Sequence, residues 1–244
     1  MSSSTPSFIV RPATFRDTSS MASMAFKSYD ELALDRFLSP HRNLYPEDYL
    51  ASCQRKMITS VANPRNISLV ACPAESPDTP IGSVQFIRLG DDAGAKAQIK
   101  SGSSVTLSVW GWYYWAKFKV VTYLWPNRAA DPDAIRKFGK IAEVYKAANW
   151  SNDDVQNRWH TQSLVVLREW RGKGVGRNLM TEGLRKAESD GVPMGLEASP
   201  LGELLYQRMG FELLGRFSGE IDGVTDRGGM MIWRPGNKES KISK

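Results

Sequence analysis

The sequence of 244 residues predicts an α/β fold, chiefly because of the stretch from Trp159 to Phe211. Within it, an apolar, β-branched run leads into a turn with three glycines, and a helical pattern then ends at Gly191, which suits a C-terminal cap. A second short strand, Val192 to Ala198, and a second helical pattern follow. Strands and helices that alternate in this way predict a sheet covered by helices.

Short runs of β-branched or aromatic residues, bounded by turn residues, predict the remaining strands. Asp17 is the predicted N-cap of a first helix, and a second helix is expected to begin at Pro46, where acidic residues follow a proline. The proline-rich segment 73–80 predicts a hairpin loop, and the segment 222–229 predicts another loop. The predicted strands are residues 8–11, 67–71, 81–87, 211–214 and 230–234.

Residues 90–158 are predicted to be an insertion into a single domain that spans residues 8–236. The segment is longer than an ordinary structureless loop and too short to form a convincing core of its own. Residues 91–100 are polar and are expected to be mobile, whereas residues 131–148 have the pattern of an amphipathic helix. Between them, residues 105–125 are rich in aromatic and β-branched side chains and include four tryptophans.

The two ends of the sequence, residues 1–7 and 237–244, are polar and are predicted to be tails, the first of them disordered. Residues 1–7 lack the segments of a signal peptide, and no apolar run approaches the ~20 residues needed to span a bilayer. A membrane-surface role for residues 105–125 is not favoured, since their aromatics form no clean helical stripe opposite a basic face. Two cysteines make no disulfide framework, so we expect a cytoplasmic protein with no membrane partner.

The chain is basic, with 32 Lys and Arg residues against 26 Asp and Glu residues and a net charge of +6. Neither a long basic run nor an array of aromatic and basic residues accompanies this excess, so a nucleic-acid partner is not expected. No Cys/His cluster has the spacing of metal ligands, and no metal is expected. Several positive charges are instead expected to serve an anionic cofactor.

The glycine turn before the central helix suits phosphate. Glycines can adopt positive φ and have no Cβ to block a ligand, and successive backbone N–H groups there can point into one concavity. The helix that follows adds its positive N-terminal end. A plain turn with solvated basic side chains is the alternative. The glycines are Gly172, Gly174 and Gly176, and the basic residues are Arg171, Lys173 and Arg177.

The spacing of these glycines matches neither the dinucleotide fingerprint nor the P-loop. It resembles motif A of the GCN5-related N-acetyltransferases, which has the pattern Arg/Gln-x-x-Gly-x-Gly/Ala after a strand. Arg171, Gly174 and Gly176 carry this resemblance.

The downstream half is also similar to this family, which often has Asn-x-x-Ala-x-x-Leu-Tyr-x-x-x-Gly-Phe. The matching residues are Leu205, Tyr206, Gly210 and Phe211. Two positions depart from the pattern, with Ser199 in place of the common Asn and Gly202 in place of the common Ala. The resemblance is dense over about 50 residues. It implies the acyl-CoA N-acyltransferase fold, a mixed and mostly antiparallel sheet with helices on both faces, carrying here a long helical and aromatic insertion.

The resemblance also implies direct transfer of an acetyl group from acetyl-CoA to an amine. Tyr206 is the implied general acid, Glu197 the first candidate for the general base, and His160 the second. Ser199 either hydrogen-bonds the cofactor or only caps the helix that follows it. The implied cofactor-binding residues are Leu164, Val165 and Val166, through their backbone, and Arg171, Gly172, Lys173, Gly174, Val175, Gly176 and Arg177.

The acceptor is expected to be a small-molecule amine. Trp112, Tyr113 and Trp115 of the insertion are predicted to form a wall of the acceptor pocket, because aromatic side chains recognise flat or cationic ligands. A protein acceptor and a non-catalytic acyl-CoA-binding module are the two alternatives. The sequence does not predict the oligomeric state.

Overall fold

The computed structural model describes residues 7–29, 31–150, 152–216 and 228–236. The predicted tails lie outside the described residues apart from Ser7, and so does the predicted loop at residues 222–229 apart from Gly228 and Gly229. Within the described residues, the chain forms a central seven-stranded sheet that helices cover on both faces.

The sheet is mixed and mostly antiparallel, as predicted. Its strands are β1 Phe8–Pro12, β2 Asn66–Pro73, β3 Gly82–Leu89, β4 Arg158–Val166, β5 Met194–Ala198, β6 Glu212–Arg216 and β7 Gly229–Trp233. Their order across the sheet is β1-β2-β3-β4-β5-β7-β6. Every neighbouring pair is antiparallel except β4 and β5, which run parallel.

The helices occupy the connections between these strands. They are α1 Thr18–Tyr29, α2 Ala33–Leu38, α3 Pro46–Ala62, α4 Ala93–Gly102, α5 Val105–Leu124, α6 Pro132–Trp150, α7 Asp153–Gln156, α8 Val175–Asp190 and α9 Pro200–Arg208. The predicted helix start at Pro46 is confirmed, and Gly191 ends α8 in the left-handed conformation at φ 65°, as a C-terminal cap requires.

The prediction that Asp17 is the N-cap of the first helix is wrong in detail. Asp17 ends a short 3-10 turn that Thr14 precedes, and α1 begins only at Thr18. The Asp17 carboxylate accepts a hydrogen bond from the Thr14 N–H at 2.7 Å and pairs with Arg11 at 2.8 Å. It therefore ties β1 to the start of α1.

Side chains of the central strands alternate between two cores, as they must when both faces of a sheet are covered. Leu69 and Ala71 of β2 belong to the core under α8 and α9. Val70 and Cys72, the intervening residues, belong to the core under α1 and α3. Burial on both faces fixes the register of β2, because a one-residue slip would exchange the two sets.

Strand β4 has an irregularity where its pairing with β5 ends. Gln85 of β3 pairs with Ser163, but Phe86 pairs with Thr161, so Gln162 is an extra residue that forms a β-bulge. The parallel pairing with β5 extends only from Trp159 to Thr161. Beyond the bulge, β4 and β5 separate and leave an opening at their C-terminal ends.

The predicted insertion contains α4 to α7, between β3 and β4. Residues 91–100, which are expected to be mobile, contain most of α4, and Asp92 caps this helix by accepting a hydrogen bond from the Ala95 N–H at 2.8 Å. The amphipathic helix predicted at residues 131–148 is confirmed as α6. Helix α5 contacts α3, and α6 contacts α2. No helix in the described part of the chain is both long and apolar enough to cross a membrane.

Candidate active site

The glycine turn leaves open space at the start of α8. Gly172 and Gly174 have φ of 76° and 84°, and Gly174 is the residue from which α8 begins. A Cβ added to either glycine would meet nothing within 4 Å, so the space that such a carbon would fill is open to a ligand. Free N–H groups at the first turn of the 16-residue helix face this space and carry partial positive charge. The residues present therefore fit a phosphate group.

Basic side chains surround the turn. Arg171, Lys173 and Arg177 are all exposed. Arg171 donates to Glu31 at 2.7 Å and to the Val166 carbonyl at 3.2 Å, so the guanidinium is held beside the end of β4. Sequence patterns gave no sign of Glu31, because the contact joins segments 140 residues apart.

The other two predicted residues of the turn act through their backbone. Val175 is buried, and its side chain packs against Gly82 on the sheet, so only its backbone is left to contact a ligand at the turn. A Cβ on Gly176 would lie 3.5 Å from Leu205 and 3.6 Å from Val166, in ordinary contact. Gly176 thus lies between α9 and the end of β4, where the two elements approach the cofactor side.

Strand β4 offers one unpaired edge beyond its bulge. Leu164, Val165 and Val166 pair with β3 on one side, whereas the pairing with β5 has ended at Thr161. Backbone groups on the β5 side of this segment are therefore available to an amide-bearing ligand, as strand addition to a sheet edge requires. This geometry fits the pantetheine arm that these residues are predicted to bind.

A cavity of about 940 Å³ continues from the opening between β4 and β5. Both predicted catalytic side chains, Tyr206 and Glu197, line it, and so do Leu164 and Ser199. Side chains of three helices complete its wall. They are Leu34 and Asp35 of α2, Arg55 and Lys56 of α3, and Phe138, Ala142, Tyr145 and Lys146 of α6.

Tyr206 is a buried side chain of α9 at the edge of this cavity. Its ring meets that of Phe211 edge-on, with centroids 5.6 Å apart, so the downstream pair of the sequence pattern is brought together. Burial raises the pKa of the Tyr206 phenol and keeps it protonated at neutral pH. None of the described residues is hydrogen-bonded to its hydroxyl, which leaves the proton available to a ligand.

Glu197 and His160 form a pair on the neighbouring strands β5 and β4. His160 Nε2 lies 2.8 Å from Glu197 Oε2, and the edge of Trp150 packs on the imidazole with ring centroids 5.6 Å apart. Burial opposes ionisation of Glu197, but the hydrogen bond and charge of His160, with Lys146 nearby, outweigh it and lower the pKa of the carboxyl. Glu197 is therefore a carboxylate near neutral pH. His160 does not line the cavity and lies behind Glu197.

Ser199 lies between β5 and α9. Its hydroxyl accepts a hydrogen bond from the Gly202 N–H at 3.3 Å, so the residue caps α9. Because Ser199 also lines the cavity, capping does not remove it from reach of a ligand.

Trp112, Tyr113 and Trp115 do not line the cavity, contrary to the predicted pocket wall. They lie on α5 with 68%, 47% and 60% of their surface exposed. The insertion reaches the cavity instead through α6, with Phe138 and Tyr145. Sequence patterns identified α6 as an amphipathic helix but could not show which of its neighbours it would cover.

Two further polar features of the cavity had no sequence signal. The Tyr29 hydroxyl and the Ser163 hydroxyl are 2.7 Å apart, which connects α1 to β4 just beyond the bulge. Asp35 of α2 accepts a hydrogen bond from the Tyr49 hydroxyl at 3.5 Å, and burial raises the pKa of its carboxyl. Neither residue belongs to a recognisable motif, so only the tertiary structure reveals them.

Comparison with known proteins agrees with this geometry. Residues 134–213 match the family model of the acetyltransferase (GNAT) domain. A Stachybotrys chartarum protein named "Acetyltransferase" is 22% identical over 224 residues, which cover 89% of this chain and 88% of that protein.

Solved structures share the fold. A structure from Corynebacterium glutamicum, described as histone acetyltransferase HPA2 and related acetyltransferase, has a TM-score of 0.61 at 16% identity, with 94% of this chain and 97% of that chain covered. An aminoglycoside 6'-N-acetyltransferase complexed with coenzyme A has a TM-score of 0.50 at 11% identity, with 93% and 96% covered.

The opening between β4 and β5 and the glycine turn ahead of α8 are compatible with a bound acyl-CoA. Residues 134–213 match the GNAT acetyltransferase domain, and the chain as a whole is similar in sequence to an acetyltransferase and in fold to solved acetyltransferases. Acetyl-CoA is the co-substrate of the GNAT family, and the open space at the glycine turn and the free edge of β4 fit its pyrophosphate and pantetheine.

Proposed function

We propose that this acetyltransferase acts on an amine of a small molecule. The supporting observation is the size of the cavity and the wall that α2 and α6 give it. Residues of both helices line the cavity, and the two helices contact each other, with the Asp131 N–H donating to the Leu38 carbonyl at 3.0 Å. A cavity of about 940 Å³ is within the size range of small-molecule sites, whereas an extended peptide binds along a sheet edge or a long groove.

Positioning supplies much of the rate in such a transfer, because holding amine and acyl donor together removes an entropic barrier. Acetyl-CoA, when bound, supplies an activated acetyl thioester. Glu197 is proposed to accept the proton that the acceptor ammonium loses, either directly or through one water. Tyr206 is proposed to hold the proton that the departing thiolate requires.

The cavity carries charges of both signs. Asp35 and Glu197 are the acidic residues that line it, and their carboxylates would pair with the ammonium group of an acceptor. Arg55, Lys56 and Lys146 also line the wall, so an acceptor that carries an additional oxygen-rich or anionic group would find cationic partners.

A protein acceptor is the competing function. The two solved relatives are named for different acceptors, one a histone acetyltransferase and the other an aminoglycoside acetyltransferase. At 16% and 11% identity they support the fold alone, so the choice of acceptor rests on the shape of the cavity.

Thiol release from acetyl-CoA by the full chain tests this proposal. We would compare diamines, amino acids and aminoglycosides with a lysine-rich histone-tail peptide. Saturable turnover with a small amine and none with the peptide is the expected result. Turnover with the peptide alone would move the function to the protein class. Acetyl-CoA binding with no turnover on any acceptor would support a non-catalytic module.

A further inference from the structure

We propose that the outward face of α5 docks on an anionic lipid bilayer. This face, called the α5 outer face below, is apolar and largely aromatic. It consists of Val105, Val109, Trp112, Tyr113, Trp115, Val120, Tyr123 and Leu124, with Trp125 directly after the helix. The proposal is independent of which acceptor the enzyme acetylates.

Helix α5 is attached to the rest of the protein by its opposite face only. That face is a stripe at spacings of four and three residues, and all its members are half-buried: Leu107, Gly111, Tyr114, Phe118 and Val121. Gly111 lies against Ala62 of α3, with 3.7 Å between the Ala62 Cβ and a Cβ built on the glycine, and Tyr114 packs on Phe15 with centroids 5.8 Å apart. The inner stripe accounts for the packing of α5 and leaves the outer face without a protein neighbour among the described residues.

The side chains of the α5 outer face are highly exposed although they are apolar. Tyr123 is 85% exposed, Trp112 68% and Trp125 67%. The helix has 20 residues and is therefore about 30 Å long. Contiguous apolar surface of this extent marks an interaction site, because exposing it to water is unfavourable.

Charge indicates what the partner is. From residue 93 to residue 130 the sequence contains no Asp or Glu, whereas the chain as a whole has 26 of them. The same segment carries Lys96, Lys100, Lys117 and Lys119, and also Arg128, which pairs with Asp48 of α3 at 2.8 Å. All four lysines are exposed, and none forms an ion pair with a described residue. An apolar helix in a segment that has cations and no carboxylates complements a surface of anionic headgroups.

The residue types also favour lipid over a second copy of the chain. Tryptophan and tyrosine are enriched at the level of the lipid headgroups. There the apolar ring contacts the acyl chains while the polar atom contacts headgroups and water. In a two-fold dimer through this face, Lys117 and Lys119 would be desolvated beside their own copies, and α5 has no carboxylate to pair with them.

The arrangement of the lysines explains why the sequence pattern disfavoured a membrane surface. Such helices usually place basic residues opposite the apolar ones. Here the lysines lie among the aromatic side chains, with Lys117 Nζ 5.9 Å from the Tyr114 ring and Lys119 Nζ 6.0 Å from the Trp115 ring. Long lysine side chains can cover an apolar surface and still place the ammonium at headgroup level.

Vesicle co-sedimentation of the full chain tests the proposal. Vesicles of equal parts phosphatidylserine and phosphatidylcholine should bind the protein, vesicles of phosphatidylcholine alone should bind it far less, and added salt should weaken the binding. The double variant Lys117→Gln/Lys119→Gln should bind the anionic vesicles about 30-fold more weakly. The double variant Tyr123→Ser/Trp125→Ser should also lose binding, because both side chains are exposed and hold no other part of the fold.

Leu204→Ser is the matched control. Leu204 is 55% exposed on α9, which packs on β5 and β7 away from α3, so its loss should not change sedimentation. Equal binding by the wild type and both double variants would overturn the proposal. So would a dimer in lipid-free solution that Tyr123→Ser/Trp125→Ser abolishes, because the occupant of the face would then be a second copy. Acetyl-CoA binding, measured on each variant, reports that it is folded.

Discussion

His160 Nε2 lies 2.8 Å from Glu197 Oε2, across the short parallel contact between β4 and β5. An ionised carboxylate only accepts hydrogen bonds, so Nε2 carries the proton of this contact. His160 Nδ1 is buried and has no hydrogen-bond partner among the described residues, and therefore the Glu197 contact alone orients the imidazole by hydrogen bonding. The pair connects the point at which the strands separate to the proposed general base.

Replacing Glu197 with Gln should lower kcat about 10²-fold, because the substitution removes the proton acceptor and keeps the shape of the side chain. Acetyl-CoA affinity should change little, since Glu197 is proposed to act on the acceptor and not on the co-substrate. Steady-state kinetics and calorimetry measure the two effects. Glu188→Gln, at an exposed position of α8, is the control that should behave as the wild type. An unchanged kcat in a chemistry-limited assay would exclude Glu197 as the base.

His160 should set the acid limb of the pH profile. The lowered pKa of Glu197 means that the carboxylate persists as the pH falls, and activity is lost only below the ordinary glutamate range. His160→Asn removes a group that lowers this pKa, while Lys146 and Arg158 remain as the cations facing Glu197. Burial should then raise the pKa, and the acid limb of kcat/KM should move to higher pH.

The other histidine offers the control for this experiment. His41 is exposed, so His41→Asn should leave the acid limb in place. A His160→Asn enzyme whose activity falls equally at every pH would show that His160 is only structural.

Tyr206→Phe removes the phenolic proton with almost no change in volume. We expect kcat to fall about 10²-fold and acetyl-CoA affinity to change much less, which is the pattern for loss of one acid catalyst. Tyr123→Phe makes the same chemical change at an exposed position and should be silent in this assay. If the two variants turned over at the same rate, Tyr206 would not be the acid.

Gly174→Glu should abolish acetyl-CoA binding in a folded protein. The residue has φ 84° at the start of α8, so a glutamate there would strain the backbone, and its carboxylate would repel a pyrophosphate. Gly236→Glu is the matched control, since Gly236 has φ 75° and equally open surroundings away from the turn. Calorimetry should detect binding in the control and none in Gly174→Glu. Undiminished binding by folded Gly174→Glu would remove the phosphate assignment.

Phe138→Ala should raise the acceptor KM and leave the acetyl-CoA KM nearly unchanged, because Phe138 lines the cavity that is proposed to bind the acceptor. Trp112→Ala tests whether α5 or only α6 of the insertion contacts the acceptor. The sequence pattern predicts a raised acceptor KM for this variant, whereas its position on α5, outside the cavity, predicts no effect. Comparison of both variants on one acceptor shows which helix of the insertion sets specificity.

Local patterns predicted the local features of the fold well. Gly191 caps α8, Pro46 begins α3, and the glycine turn leads from β4 to α8 as its spacing indicated. Each of these depends on a few neighbouring residues and on φ and ψ preferences that the residue type fixes. The resemblance to an acetyltransferase family rested on the same short segments.

Features that depend on register or on distant packing were not predictable. The bulge at Gln162 arises from the pairing of β3 with β4, and no residue type encodes it alone. The contact of Arg171 with Glu31 and the placement of Asp35 join segments far apart in sequence. The aromatic residues of α5 favour strands as much as helices, and only the packing on α3 shows which side of them is exposed.

The short contact between β4 and β5 makes the sheet almost two half-sheets, one of β1 to β4 and the other of β5 to β7. Only three residue pairs, Trp159 to Met194 through Thr161 to Leu196, join the halves in hydrogen-bond register. A co-substrate that binds along the free edge of β4, as expected for an acyl-CoA, would occupy the place of the missing ladder and bridge the two half-sheets.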